Sequence, residues 1–190
     1  KLKHYQPEYK TIIPEKWYGY GHKQRGLKDV ILLVDQSASM SESVIYASIY
    51  AAVLAQLKSL NTHLIFFDTS VVDMSQELRD PVDLLFGAQL GGGTLISKAL
   101  RYAGQKVQNP KDTHLFIISD MDEGGTIAQL IKQLKNLKDR GVHIQVLLNL
   151  SDEGKPYYSE RVAKKVAALD IPAFACTRDQ FPDIVAEGLF

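Results

Sequence analysis

Two stretches of this chain are apolar almost throughout, and each stops at an aspartate: Asp29-Val-Ile-Leu-Leu-Val-Asp35 and Thr113-His-Leu-Phe-Ile-Ile-Ser-Asp120. A strand with one wet face alternates polar and apolar residues. A run without alternation fits a strand covered on both faces, which is the situation of strands in a parallel sheet flanked by helices. The intervening segments have the periods this architecture needs. From Ser41 or Ser43, either of which is placed as a helix cap, to about Leu60, the residues Val44, Ile45, Ile49, Val53, Leu57 and Leu60 recur at helical spacing. Ala47, Ala51, Ala52 and Ala55 fill in between them, so this helix is apolar over much of its circumference and is expected to be largely buried.

His63 to Phe67 reads as a second strand, and Asp68-Thr69-Ser70 as a turn into a short antiparallel edge strand, Val71-Val72. A helical turn over Val82 to Phe86 leads to Gly91-Gly-Gly-Thr94 and a helix from Ile96 to Val107. Beyond Asp120, Thr126 caps a helix with the stripe Ile127, Leu130, Ile131, Leu134 and Leu137, which Gly141 stops. A strand over Val142 to Leu150, a helix over Ser159 to Leu169, a strand over Ala173 to Cys176 and a helix from about Asp179 to Leu189 complete the pattern. The predicted fold class is α/β: a doubly wound, Rossmann-like, mostly parallel sheet of about six strands with one short antiparallel edge strand.

Residues 29–190 are read as this one domain. Residues 1–28 mix Tyr5, Tyr9, Trp17, Tyr18 and Tyr20 with Pro7 and Pro14 and follow neither period, so they read as an irregular strap or the end of a preceding region. The start at Lys1, without a methionine, is what an excised fragment would show. The zero formal charge of the chain hides an asymmetry, since the strap carries seven Lys or Arg against two Glu. Basic residues among aromatics are also how single-stranded nucleic acid is bound, but aromatics that pin the strap to the domain explain the same pattern, and nucleic acid is not the expected partner.

Several classes are excluded at once. No run of about 18 apolar residues is present to span a membrane, and there is no signal-peptide pattern. The single cysteine, Cys176, excludes an internal disulfide framework and a cysteine-rich zinc site, leans towards a reducing compartment, and reads as a small buried hydrophobe. His4, His22, His63, His114 and His143 show no zinc-ligand spacing.

In open α/β sheets ligands bind beyond the carboxyl ends of the strands, at the topological switch point. Asp35, Ser37, Ser39, Thr94 and Asp120 all fall at that edge. One strand-terminal carboxylate followed by hydroxyls two and four residues on, with a third hydroxyl and a second carboxylate from later loops, is a set of hard oxygen donors. Such a set suits Mg²⁺, with Mn²⁺ or Ca²⁺ as alternatives. Ser37 and Ser39 are the candidate direct ligands, with Thr94 a third hydroxyl; Asp35 and Asp120 bind directly or through waters. Each residue alone has an ordinary structural explanation as a cap or turn residue; the combination at one edge points to a site. Three further acids fall near that edge. Asp122 and Glu123 either tune the site from behind Asp120 or favour the dipole of the helix that follows; Asp68 either lies near the site or makes an Asx turn.

The strand-DxSxS, glycine loop-Thr, strand-Asp order resembles the von Willebrand factor type A (VWA) domain and its metal-ion-dependent adhesion site, with the five positions matched by Asp35, Ser37, Ser39, Thr94 and Asp120. Phe67-Asp-Thr69, Leu90-Gly-Gly-Gly-Thr94, Ile118-Ser-Asp120 with Glu123-Gly-Gly125, and Phe174-Ala-Cys-Thr177 resemble the bacterial intracellular branch of CoxE-like and YehP-like proteins. The resemblance implies a cytoplasmic location and makes a MoxR-type AAA+ ATPase a plausible partner. Two positions depart from the pattern: Ala38 stands where glycine is commoner, and Leu95 stands where an acid is common.

Two functions compete. A metal-dependent binding module takes an Asp or Glu of a partner protein onto the metal. A Mg²⁺-dependent phosphatase or phosphotransferase also places Asp at a strand end, but needs a second carboxylate two residues on, or an acidic pair with a later strand-end lysine. Position 37 is Ser, no such lysine follows, and the glycine loop lacks the lysine of a phosphate-binding loop. The expectation is therefore a binding module and not an enzyme.

Overall fold

The computed structural model describes residues 5–6, 11–12, 28–57, 60–78, 92–150, 157–177 and 180–189; at 5–6, 11–12, 39 and 41–43 it describes the backbone alone. Two two-residue strands, β1 (Tyr5–Gln6) and β2 (Thr11–Ile12), pair antiparallel in the strap, a small ladder that its aperiodic sequence does not announce. The expected turn over Val82 to Phe86 lies outside the described residues.

The domain is built on β3 (Lys28–Asp35), β4 (Leu60–Phe67), β5 (Val71–Asp73), β6 (Thr113–Ser119), β7 (His143–Asn149) and β8 (Ala173–Cys176). Their order across the sheet is β5-β4-β3-β6-β7-β8, and only the edge strand β5 runs antiparallel to its neighbour. Five α-helices are described: α1 (Ser41–Ala55), α2 (Ile96–Lys106), α3 (Ile127–Asp139), α4 (Glu160–Ala167) and α5 (Phe181–Leu189). The doubly wound, mostly parallel sheet expected from the sequence is therefore the fold observed.

Alternation along β3 sorts the two cores. Val30, Leu32 and Val34 belong to the core that includes residues of α1 and α5, while Ile31 and Leu33 belong to the core that includes residues of α2, α3 and α4. All five are fully buried, and each contributes about 1.5–3 kcal/mol by leaving water. Cys176 is buried on the α1 side, as its apolar surroundings suggest.

Helix α1 departs from expectation in three ways. It ends at Ala55, and Leu60 already opens β4. Its N-cap is Met40, with no side-chain cap bond, so Ser41 and Ser43 lie inside the helix rather than capping it. It is also not largely buried. Val44, Ala47, Ser48, Ala51 and Leu54 face the sheet, whereas Ile45, Tyr46, Ile49, Val53 and Leu57 are 40–51% exposed. A helix that is apolar all round carries no phase information, and the side with small alanines approaches the sheet while the larger residues turn outward. Thr126 occupies the N-cap of α3 without a side-chain cap bond, and Gly141 ends that helix region at φ 98°, a left-handed angle that glycine adopts without strain.

At the amino end of the sheet His114 of β6 stacks on His143 of β7, ring centroids 4.8 Å apart. Burial, reinforced by His143 and Lys28, holds the His114 imidazole down to about 4. Between the ordinary histidine value near 6.5 and that lowered value, the unfolded chain binds a proton that the folded chain refuses, so stability falls as pH falls through that window. Urea unfolding at pH 7 and pH 5 is expected to show this slope in the wild type and a shallower one in His114→Gln; equal slopes would refute the account. By the same method Leu33→Ala is expected to cost about 2–5 kcal/mol, and Ile49→Lys, on the exposed side of α1, no more than about 0.5 kcal/mol.

Candidate functional site

Strands β3 and β6 are neighbours from which the chain winds outward in opposite directions, β4 and β5 to one side and β7 and β8 to the other. Their carboxyl ends form the switch point of the sheet. Asp35 ends β3 there, and Ser119 ends β6 with Asp120 the next residue, Val34 being in register with Ile118.

Asp35 is fully buried. One carboxylate oxygen accepts the Ser37 backbone N–H at 2.9 Å and the other accepts the Ser119 hydroxyl at 2.8 Å. Burial pushes its pKa up to about 6, against the lowering effect of those hydrogen bonds and with the charge of Asp120 adding to the rise. Ser119 Oγ also accepts the Met121 N–H at 2.9 Å, so one hydroxyl ties the two strand ends together. Met121 is buried at φ 58°, a left-handed conformation that costs a non-glycine residue about 1–2 kcal/mol and turns the chain sharply after Asp120. Asp120 is 8% exposed; its side chain accepts the Asp122 N–H and its carbonyl accepts the Ser159 N–H.

The loop after β3 is compact. Gln36 N–H donates to Phe67 O and Met40 N–H donates to Ser37 O, closing a 3-10 turn over Ala38–Met40. Ser37 is 7% exposed, and the side chain of Ser39 lies outside the described residues. Ala38 is not among the residues with positive φ, so alanine serves there as well as glycine.

Thr94 is 6% exposed and two residues ahead of α2. Its loop is held from two sides. Leu95 N–H donates to Asp68 O at 2.9 Å, and Lys98 Nζ donates to Thr69 O at 2.8 Å. From the other side Gly124 N–H donates to Thr94 O at 2.8 Å. The loop that follows Asp120 is thus clasped to the loop that carries Thr94.

The three flanking acids separate. Asp68 makes the Asx turn, accepting the Ser70 N–H and hydroxyl. Asp122 is exposed. Glu123 accepts hydrogen bonds from Ser97 in the first turn of α2. Sequence reasoning missed Ser119, although its signal is present: it is the one hydroxyl closing an otherwise apolar run. Two buried polar atoms at this edge, Gln36 Nε2 and Asn149 Oδ1, have no hydrogen-bond partner among the described residues.

Among the described residues no group of three or more His, Cys, Asp and Glu is arranged to hold a metal. What the edge offers instead is a mixed set of carboxylates and hydroxyls. That set fits a hard cation, and the pKa of Asp35, raised first by burial and further by the charge of Asp120, marks a carboxylate that a cation beside it would stabilise.

The family of VWA domain containing CoxE-like proteins matches residues 3–185 of this chain. The uncharacterized protein YehP of Escherichia coli strain K12 is 35% identical over 190 residues, which is 99% of this chain and 50% of YehP. The chain therefore spans about half the length of this relative. Among solved structures, a von Willebrand factor type A protein from Catenulispora acidiphila superposes with a TM-score of 0.66 at 13% identity, over 86% of this chain and 43% of the other. An aerotolerance-related membrane protein from Bacteroides fragilis NCTC 9343, carrying multiple mutations to serine, superposes with a TM-score of 0.61 at 13% identity, over 85% of this chain and 98% of the other. These two structures share the fold.

A Cβ at Gly124 would sit 2.8 Å from the Thr94 carbonyl oxygen, whereas one at Gly93 would make an ordinary 3.6 Å contact with Thr69. Gly124→Ala is expected to cost about 1–3 kcal/mol and to expose the residue 124 amide to hydrogen exchange, with Gly93→Ala within about 0.5 kcal/mol of wild type. Equal stability of the two variants would show that the clasp is not tight.

Proposed function

The chain belongs to the family of VWA domain containing CoxE-like proteins, and from that footing we propose that it is a divalent-metal-dependent protein-binding module. VWA domains are in general non-enzymatic interaction modules and commonly bind a divalent metal at the adhesion site. The observation that carries the metal reading is Asp35: a fully buried carboxylate beside Asp120, at the strand edge where Ser37 and Thr94 are also placed. In this reading Asp35, Ser37, Ser39, Thr94 and Asp120 hold Mg²⁺, with Mn²⁺ or Ca²⁺ as substitutes, directly or through waters. The bound cation supplies an electrophilic position that an Asp or Glu of a protein partner occupies.

The chain's own residues do the rest. Ser119 and the Ser37 amide fix the Asp35 carboxylate, and the clasped loops fix Thr94. Preorganisation of this kind reduces the ordering cost of binding. No helix among the described residues is long and apolar enough to cross a membrane. The wider role we propose is cytoplasmic: work with a MoxR-type AAA+ ATPase in assembling or maturing a protein complex.

Metal at ten times its Kd stabilises a folded protein by about 1.4 kcal/mol, which is about 3–5 °C in Tm for a domain of this size. Mg²⁺ is expected to raise the Tm of the wild type and to leave that of Asp35→Asn unmoved, although the metal-free variant, relieved of a buried charge, melts no lower than metal-free wild type. Equal Mg²⁺ shifts in the two proteins would sink the metal assignment. A pull-down from source cells with and without EDTA tests recognition: partners retained equally under EDTA would separate partner binding from the site.

A further inference from the structure

The geometry points to Glu123-Gly124-Gly125 as a clamp that sets the position of Thr94, with Glu123 a positioning residue for the metal site rather than one of its ligands. The inference rests on the metal reading above and starts from a gap in α2. The first amides of a helix have no partner within it, and a Ser, Thr, Asp or Asn at the N-cap normally satisfies one of them. Here the N-cap is Leu95, which makes no side-chain cap bond, and the first turn contains no acid.

The missing partners come from two other loops. Leu95 N–H donates to Asp68 O at 2.9 Å. Ser97 N–H donates to one oxygen of Glu123 at 3.3 Å, and Ser97 Oγ donates to the other at 3.0 Å. Glu123 thus caps, from 26 residues away, the helix whose first turn follows Thr94. A carboxylate at that end also meets the favourable pole of the helix dipole.

The two glycines that follow make the reach possible. A Cβ at Gly125 would lie 2.6 Å from a Glu123 carboxylate oxygen and 3.2 Å from the Leu95 side chain. At Gly124 the obstacle is the Thr94 carbonyl itself, which takes the Gly124 N–H at 2.8 Å. Glu123 therefore grips α2 one turn beyond Thr94 while Gly124 grips Thr94 directly. The same short loop begins at Asp120. Two proposed donors from distant parts of the chain, Asp120 and Thr94, are in this way kept at a fixed spacing by a three-residue segment that carries no ligand.

The test is Mg²⁺ titration calorimetry on the full chain, with hydrogen exchange of the Gly124 amide read on the metal-free protein. Glu123→Ala is expected to weaken Mg²⁺ binding about tenfold, the range seen when a partner behind a metal ligand is lost, and to speed Gly124 exchange. Glu123→Gln, which still accepts from Ser97, recovers most of the affinity. Ser97→Ala weakens binding in the same direction, and the double variant binds no more weakly than Glu123→Ala alone, because both act through one contact. Wild-type affinity in Glu123→Ala alongside a lowered Tm would reduce Glu123 to a stabilising cap and overturn the proposal. So would a double variant whose losses multiply. Absence of saturable Mg²⁺ binding by the wild type would instead bring down the metal reading, and this proposal with it.

Discussion

Strand β3 is covered on both faces, and five consecutive side chains along it are fully buried. A strand in that position has no wet face on which to place a charge, so polarity enters only at its ends. Asp35 stands at the carboxyl end and is itself without exposure. A buried carboxylate is costly unless hydrogen-bonded or matched by positive charge. The hydrogen bonds from the Ser37 amide and the Ser119 hydroxyl answer only part of that cost, because burial still raises the acid's pKa to about 6. The left-handed turn at Met121 and the clasp between the Thr94 and Glu123 loops surround the same point. Strain, burial and like charge are concentrated at one edge of a sheet that is otherwise regular.

The architecture was legible in the sequence itself. Unbroken apolar runs alternating with helical segments fit strands covered on both sides, and the sheet they imply puts the ends of β3 and β6, with Asp35 and Asp120, at its switch point. What remained illegible had two physical sources. The first is loss of phase: α1 is apolar around its whole circumference, so nothing in residues 44–57 says that Ala47 and Ala51 rather than Ile45 and Ile49 meet the sheet. The second is distance along the chain. Helix caps are read from neighbouring residues, yet the N-cap of α1 falls on Met40 and Thr126 holds its N-cap position without a side-chain bond, while α2 is capped by Asp68 and Glu123 from elsewhere. Ser119 lies between these cases, since a hydroxyl at the end of an apolar strand is visible in the sequence but its bond to Asp35 is not.

The glycines near the site serve close approach more than flexibility. Gly92 is at φ 124° with Asp68 3.2 Å from where its Cβ would be, and Gly124 and Gly125 are packed against the Thr94 loop and Glu123. Gly92 holds a backbone angle that side-chain-bearing residues rarely adopt, and Gly124 and Gly125 stand where a backbone carbonyl or a carboxylate comes nearer than a methyl group allows.

The hydroxyl of Ser119 and the carboxylate of Asp35 are 84 residues apart in sequence, and no local hairpin or turn brings them together in advance. Their meeting waits on the pairing of β3 with β6, a closure of high sequence separation that a folding chain reaches slowly. A ligand that needs both strand ends has nothing to hold before that closure is made. Such a ligand would favour the folded domain over the unfolded chain, which has not yet assembled the two ends.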